Sequence, residues 1–211
     1  MKSSEILVIG ASGRTGRYVL NELVKRGYSN LSVLIRHEEY REIFEKLGTK
    51  VIVGDARSEV TMEKALTKKD IVINCMRSDN IIAPSELAVT KLVTKLLPKG
   101  KLYLVISAIG VADSIKNLSW QARLVFTTAL RAVMKQKAAV EKVIKDSELK
   151  YVIIRPGGLL DDDGEENVTV VKPAPSGTSG TIHRTKLAII MVDLMENPDT
   201  YNKIWECAEI S

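Results

Sequence analysis

Three glycines near the amino terminus have the spacing of a dinucleotide-binding turn. Gly10, Gly13 and Gly16 lie between an apolar segment, 6–9, and a helical pattern, 15–26. Glycines at such positions permit a tight turn and let a pyrophosphate approach bare backbone, while free N–H groups at the helix start attract its phosphates. A plain glycine-rich turn is the alternative interpretation. The cofactor-binding residues that the motif predicts are Gly10, Ser12, Gly13, Arg14, Thr15 and Gly16.

An arginine follows the second apolar segment, at the position that selects between the two dinucleotides. In NAD-binding sites an acidic residue about 20 positions after the glycines holds the ribose 2′-hydroxyl. Here Arg36 occupies that position. A guanidinium group pairs with a 2′-phosphate, and Arg14 supplies a second one, so NADP(H) is favoured over NAD(H). The alternatives are two solvated arginines, or a ribose contact from Glu38 or Glu39.

One lysine interrupts an apolar stripe. Leu130, Val133, Lys137, Val140 and Ile144 are spaced 3, 4, 3 and 4 residues apart, as on one face of a helix. An ammonium group buried without partners costs several kcal/mol, so we expect Lys137 to contact acceptors such as ribose hydroxyls. A lysine that extends to solvent at the edge of the stripe is the alternative.

These residues require a scaffold of alternating strands and helices. Several apolar runs are continuous, as in strands buried on both faces, and repeated βα units of this length imply a parallel sheet. The predicted strands are 6–9, 31–35, 51–53, 71–74, 102–106, 151–154, 168–171 and 203–207, and the predicted helices are 15–26, 38–47, 61–66, 85–97, 121–147 and 186–195. The fold class is therefore α/β, a Rossmann-type doubly wound sheet.

Length and composition indicate one domain that binds small molecules. The 211 residues, 45% of them hydrophobic, suit a single domain over 1–211, with 157–180 as a small substrate-side appendage or lid. The net charge of +5 comes from scattered basic residues, which argues against nucleic acid. Without a long apolar run or a signal-peptide core, we expect a cytoplasmic monomer or homodimer with no membrane contact.

No metal site is expected. Cys75 and Cys207 do not form a ligand-spaced cluster with either histidine. The acidic group Asp161, Asp162, Asp163, Glu165 and Glu166 lacks the spacing of a calcium loop and is interpreted as a solvated loop.

Four segments together resemble one known family. They are 10–16, Val-Gly-Asp-Ala at 53–56, Ser-Ala-Ile-Gly at 107–110 and Ile-Arg-Pro-Gly-Gly-Leu at 154–159. Along nearly the whole chain the sequence resembles the atypical short-chain dehydrogenase/reductase family, in the NAD(P)H-binding branch with nitrogen-metabolite-repressor-like proteins and flavin or biliverdin-IXβ reductases. These motifs are specific for fold and cofactor, not for substrate.

The resemblance implies positions for further cofactor contacts. Asp55 and Ala56 would lie at the adenine, and Asn74, Cys75 and Met76 would border the middle of the cofactor. Ser107, Ala108 and Pro156 would lie near the nicotinamide. Lys137 resembles the family lysine that hydrogen-bonds the nicotinamide ribose.

The wider superfamily pairs this lysine with a tyrosine acid, but here Val133 stands four positions before Lys137. We therefore predict hydride transfer to a small planar acceptor, such as a flavin or quinone, with the proton taken from water. Ser107 and Lys137 are the candidate catalytic residues, although Ser107 alternatively only caps a loop. The other possible functions are a non-catalytic NADP(H)-binding regulator or redox sensor, and an epimerase or isomerase that retains its dinucleotide.

Overall fold

A computed structural model describes residues 2–76, 85–161 and 168–210. Within these ranges the strands are β1 (Ile6–Ile9), β2 (Leu31–Ile35), β3 (Lys50–Val53), β4 (Ile71–Asn74), β5 (Leu102–Ile106), β6 (Lys150–Pro156), β7 (Gly158–Leu160), β8 (Val168–Pro173), β9 (Thr181–His183) and β10 (Lys203–Ile210). The helices are α1 (Arg14–Lys25), α2 (Arg41–Glu45), α3 (Glu59–Leu66), α4 (Ser85–Leu96), α5 (Trp120–Thr127), α6 (Arg131–Lys145) and α7 (Arg184–Glu196). Short 3-10 turns cover Glu38–Tyr40, Ala112–Asn117 and Pro198–Thr200.

The strands form one sheet whose order confirms the predicted Rossmann-type class. The order is β3-β2-β1-β4-β5-β6-β10-β9-β7, with β8 paired to β10. The pairs among β1 to β6 are parallel, and β10 also runs parallel to β6. The chain proceeds from β1 outward to β3 and then returns to β4 on the other side of β1. This reversal is the point where doubly wound sheets bind ligands.

Helices cover both faces of the sheet, which explains the continuous apolar strands. All residues of β1, β2, β4 and β5 are buried. Ile6 and Val8 pack in the layer that contains α1 and α7, whereas Leu7 and Ile9 pack in the layer that contains α3, α4 and α6. No helix in the described ranges is long and apolar enough to cross a membrane.

The long helix predicted over 121–147 is wrong, because the chain breaks between α5 and α6. Thr128 has φ −111° and ψ −84°, outside the helical region. The hydroxyls of Thr127 and Thr128 donate to backbone carbonyls of the preceding turn, at 2.8 and 2.7 Å, which competes with helix continuation. No residue of α5 is buried, so packing does not hold it in line with α6. Leu130 lies in the break and is 36% exposed, so it does not belong to the inward-facing stripe.

Two other predicted segments differ in more than their end residues. The helix predicted over 38–47 is a 3-10 turn followed by the five-residue α2. The segment 157–180, predicted as an appendage, contains β7 and β8 and ends just before β9. β8 and β9 pair with β10, and β7 pairs with β9, so all three strands belong to the main sheet. Within that segment, residues 162–167 lie outside the described residues, and so do four of the five carboxylates of the predicted acidic loop.

Candidate functional site

The predicted cofactor residues follow the carboxyl ends of parallel strands. Ile9, near the end of β1, pairs with Leu34 of β2 and Asn74 of β4. Parallel strands end at a common edge, so the loops after them meet there. The residues placed at this edge are Gly10, Ser12, Gly13, Arg14, Thr15, Gly16, Arg36, Asp55, Ala56, Asn74, Cys75, Met76, Ser107 and Pro156.

The glycine turn is packed so tightly that side chains do not fit at two of its positions. Gly10 has φ +78°, and a Cβ there would lie 3.0 Å from the backbone nitrogen of Met76. A Cβ on Gly16 would overlap the carbonyl oxygen of Gly10 and lie 2.8 Å from the Cα of Ala11. The turn also closes with a hydrogen bond from Gly13 N to Gly10 O, at 3.0 Å. The three glycines thus serve the turn itself and the packing of α1 against it.

The start of α1 is open to an anion. Gly13 is the residue before the helix and offers no capping side chain, and the first turn contains no acidic residue. A helix start leaves backbone N–H groups without intrahelical partners, and its partial positive charge favours phosphate. This cradle of bare backbone fits the diphosphate of a dinucleotide.

At the other end of the edge, Arg36 lies exposed after β2, close to Asp55 after β3. Hydrogen bonds from Arg57 hold the pKa of Asp55 below its usual range, and the charge of Arg36 adds to this effect. Glu38, which sequence reasoning considered for the ribose, is ion-paired with Arg41. Ala56 packs in the layer that contains α3.

Arg14 takes part in an ion-pair cluster beside the glycine turn. Its guanidinium group is ion-paired with Asp161, the residue after β7, and a second arginine, Arg184, binds the same carboxylate. In the structure Arg14 is thus paired with Asp161, whereas Arg36 lies near Asp55. Sequence reasoning did not single out Arg184.

Asn74 shapes the loop after β4. It is buried, donates from Nδ2 to the hydroxyl oxygen of Tyr103 at 2.8 Å, and accepts from the backbone nitrogen of Met76 at 3.0 Å. Burial raises the pKa of the Cys75 thiol to about 12, so the thiol is protonated at neutral pH and is not a nucleophile. Residues 77–84 lie outside the described part of the chain.

Ser107 belongs to a buried charge network that the sequence analysis missed. Its hydroxyl donates to Glu141 of α6 at 2.5 Å, and Glu141 accepts two further hydrogen bonds from Arg155 at 2.9 and 2.7 Å. Arg155 is fully buried and also donates to Asp113 at 2.9 Å, while Glu206 lies 3.7 Å away. Glu141 was detectable in principle, because it lies between Val140 and Ile144 of the same apolar stripe.

Lys137 faces inward and contacts acceptors, as its position in the stripe predicts. Its ammonium group donates to the carbonyl oxygen of Ile106 at 3.0 Å and to the two carboxylate oxygens of Glu86 at 3.3 and 3.2 Å. Burial raises the pKa of Glu86, although the charge of Lys137 acts in the opposite direction. Lys137 thus lies at the end of β5, beside the position where Ser107 begins the next loop.

No tyrosine acid accompanies this lysine at the neighbouring helical turn, where Val133 is half-buried. Tyr103 is buried and its hydroxyl lies within hydrogen-bond distance of Asn74 and Thr90. Burial also raises the pKa of Tyr103 above its usual range. Its hydroxyl is therefore hydrogen-bonded inside the protein and does not take the place of the missing tyrosine acid.

Comparisons with known proteins show similar sequences and a similar fold. The chain is 23% identical over 224 residues to the chloroplastic protein At2g34460 of Arabidopsis thaliana, covering 98% of this chain and 77% of that protein. Its fold is similar to ChuY, an anaerobilin reductase of Escherichia coli O157:H7, with a TM-score of 0.79, 22% identity and coverage of 97% and 96%. It is also similar to a short-chain dehydrogenase/reductase of Veillonella parvula solved with NADP, with a TM-score of 0.79, 15% identity and coverage of 97% and 94%.

A family model described as NAD(P)H-binding matches residues 10–198, which begins at the first glycine of the turn and ends after α7. The match thus covers the glycine turn together with Ser107, Glu141 and Arg155 of the buried network. The chain belongs to this NAD(P)H-binding family, and its sequence resembles the atypical short-chain dehydrogenases/reductases.

Proposed function

We propose that the protein is an NADP(H)-dependent oxidoreductase that transfers a hydride to a small planar acceptor such as a flavin or a quinone. The observation that carries the proposal is the open backbone cradle at Gly13 and the start of α1, with an arginine after β2 where NAD-specific sites have a carboxylate. NADPH, when bound, supplies the hydride. The side chains then only bind and orient the cofactor and the acceptor and exclude water from the site.

Each group at the edge has a role in this proposal. The backbone of the glycine turn holds the diphosphate, and Arg36 holds the 2′-phosphate. Asp55 and Ala56 border the adenine, while the loop after β4, shaped by Asn74, borders the middle of the cofactor. The ends of β5 and β6, at Ser107 and Pro156, border the nicotinamide.

Lys137 is proposed to hydrogen-bond the nicotinamide ribose from the end of β5. It is only 17% exposed in its side chain, and its ammonium group already lies at the end of β5. Ser107 acts differently from a free hydroxyl acid, because it donates its hydrogen to Glu141. With Val133 in the tyrosine position, the proton for a reduced flavin or quinone comes from solvent.

Replacing Lys137 with methionine should weaken NADPH binding by about 1.5–3 kcal/mol, the usual contribution of a hydrogen bond to a charged group. Isothermal titration of NADPH measures this loss. Because the substitution also leaves the buried Glu86 without its cation, the double variant Lys137→Met/Glu86→Gln is the control for folding, and it should lose the same affinity. NADPH affinity equal to that of the wild type in both folded variants would show that Lys137 is only a structural partner of Glu86.

Arg36 should determine the choice of dinucleotide. The wild-type protein should bind NADPH at least about tenfold more tightly than NADH, since a charge-assisted pair contributes roughly 1.5–3 kcal/mol. Arg36→Asp should remove or reverse that preference, mainly by weakening NADPH. The matched control is Arg123→Met, which removes a guanidinium group on α5 that donates to the carbonyl of Lys116. Equal affinities of the wild type for the two dinucleotides would reject NADP(H) specificity.

The function itself is tested by following the absorbance of reduced nicotinamide. Purified protein is mixed with NADPH and, separately, with flavins, quinones and aldehydes. Turnover with flavins or quinones but not with aldehydes supports the proposal, because an aldehyde needs the proton donor that Val133 replaces. Tight binding of NADPH without turnover of any acceptor would instead favour the NADP(H)-binding regulator.

A further inference from the structure

Two arginines from separate helices bind one carboxylate beside the glycine turn. Arg14 is the first residue of α1 and Arg184 is the first residue of α7. Nη1 of Arg14 binds Oδ2 of Asp161, and Nη1 of Arg184 binds Oδ1 of the same carboxylate. The two guanidinium groups are therefore close neighbours, since they bind the two oxygens of one carboxylate.

The donors at this cluster exceed the acceptors among the described residues. Two cations share a single carboxylate, and that carboxylate is half-exposed, whereas Arg184 is only 7% exposed. Nε of Arg184 is buried and has no hydrogen-bond partner in the described part of the chain. Buried polar groups in folded proteins are nearly always paired, so such a donor indicates an acceptor outside the described residues.

The backbone around Asp161 is fixed independently of its side chain. The hydroxyl of Tyr18 on α1 donates to the carbonyl oxygen of Asp161 at 3.2 Å. The carboxylate can consequently leave the arginines by a side-chain rotation towards solvent, without any change in the sheet. An exposed aspartate that reaches inward to two arginines occupies the volume that an external anion would need.

The position of this cluster beside the glycine turn indicates which kind of ligand it binds. Arg14 directly follows Gly13, whose backbone opens towards the proposed diphosphate, and Arg184 begins α7, which follows β9 and packs against α1. Arginine forks match phosphate oxygens and bind them through two parallel hydrogen bonds. Arg36 follows β2, on the other side of β1 from β7 and β9, so the proposed 2′-phosphate site and the cluster are separate.

We propose that Arg184 and Arg14 form a phosphate-binding site whose ligand is the diphosphate of the dinucleotide, and that Asp161 occupies this site when the ligand is absent. The inference deepens the proposed function and depends on it only in requiring a dinucleotide at the glycine turn. Asp161 competes with the phosphate, and Arg184 is a cofactor-binding residue.

The test is titration of NADPH and NADH, without an acceptor, into the wild type and three variants. Arg184→Met should weaken both dinucleotides to a similar degree, by roughly 10- to 100-fold, because the diphosphate is common to both. Asp161→Asn should bind both at least about threefold more tightly, because a neutral amide competes poorly with phosphate. The control Lys99→Met removes an exposed cation paired with Glu148 at the opposite edge of the sheet, and it should change neither affinity.

A second titration identifies the source of the phosphate. FMN and riboflavin, which differ only by a phosphate, are titrated into protein saturated with NADP⁺. If Arg184→Met leaves the dinucleotides unchanged but weakens FMN selectively, the site exists and its phosphate belongs to the acceptor. If Arg184→Met does not fold, the exposed substitution Asp161→Asn decides: unchanged affinity for both dinucleotides and for FMN overturns the proposal. Absence of acceptor turnover contradicts only the proposed function, since these measurements record binding.

Discussion

Valine at position 13 should abolish dinucleotide binding in a protein that remains folded. Gly13 has φ −74° and ψ 164°, a conformation that valine adopts without strain, and the residue is exposed. Among the described residues a Cβ there would meet only the carbonyl oxygen of Gly10 within 4 Å, at 3.2 Å, a tight contact that a small shift of this carbonyl relieves. The side chain would therefore project into the open space at the start of α1, where the diphosphate is proposed to bind. We expect the affinity for NADPH to fall by at least about 100-fold, or roughly 2.7 kcal/mol.

Two other glycines separate the loss of binding from the loss of folding. Gly16→Ala should unfold the protein or lower its stability strongly, because the Cβ would overlap the backbone of Gly10 and Ala11. Gly100→Ala, in the turn before β5 at the opposite edge, has φ +75° in open space and should cost about 1–2 kcal/mol of stability without changing NADPH affinity. Circular dichroism and titration of the three variants provide the comparison. A folded Gly13→Val protein with wild-type affinity would place the dinucleotide elsewhere.

The inner strands could be predicted from the sequence because their residues are apolar without interruption. β1, β2, β4 and β5 have the predicted bounds, since burial between two helical layers leaves no place for polar residues. The strands β7 and β9 were missed. Each has three residues, β7 pairs with β9, and β9 pairs with β10, so every pair joins residues more than 20 positions apart in the chain. The sequence pattern within a three-residue strand does not indicate such distant pairing.

In the candidate site, too, some features could be predicted from the sequence and others could not. The glycine turn and the inward position of Lys137 follow from spacing, because both depend on neighbours within one turn or one helix. The partner of Lys137 could not be predicted, since Glu86 is 51 residues away and meets it only because α4 packs against α6. Arg184 was missed for a similar reason: nothing in the sequence shows that the starts of α1 and α7 lie beside the same carboxylate.

Replacing Arg155 with methionine should destabilise the fold by about 3–5 kcal/mol, a large share of the 5–15 kcal/mol that is typical of a domain. Arg155 is fully buried at the end of β6, where it binds Glu141 through two hydrogen bonds and lies near Glu206, which is also fully buried. Methionine fills part of the volume but leaves these carboxylates without a cation. Chemical denaturation of the wild type and the variant measures the difference.

The cause of this loss can be separated from a simple packing defect. If unpaired buried charge is responsible, the double variant Arg155→Met/Glu141→Gln should be less destabilised than the sum of its two single variants, because one uncompensated carboxylate is gone. The loss should also shrink when the pH is lowered from about 8 to about 5, since an unpaired buried carboxyl group is better tolerated in its protonated form. Lys142→Met, which removes an exposed ion pair with Asp146 on the same helix as Glu141, is the matched control and should have little effect. A stable Arg155→Met protein would contradict the importance of this buried cation for the fold, whereas a loss that grows with pH would show that the unpaired carboxylates cause it.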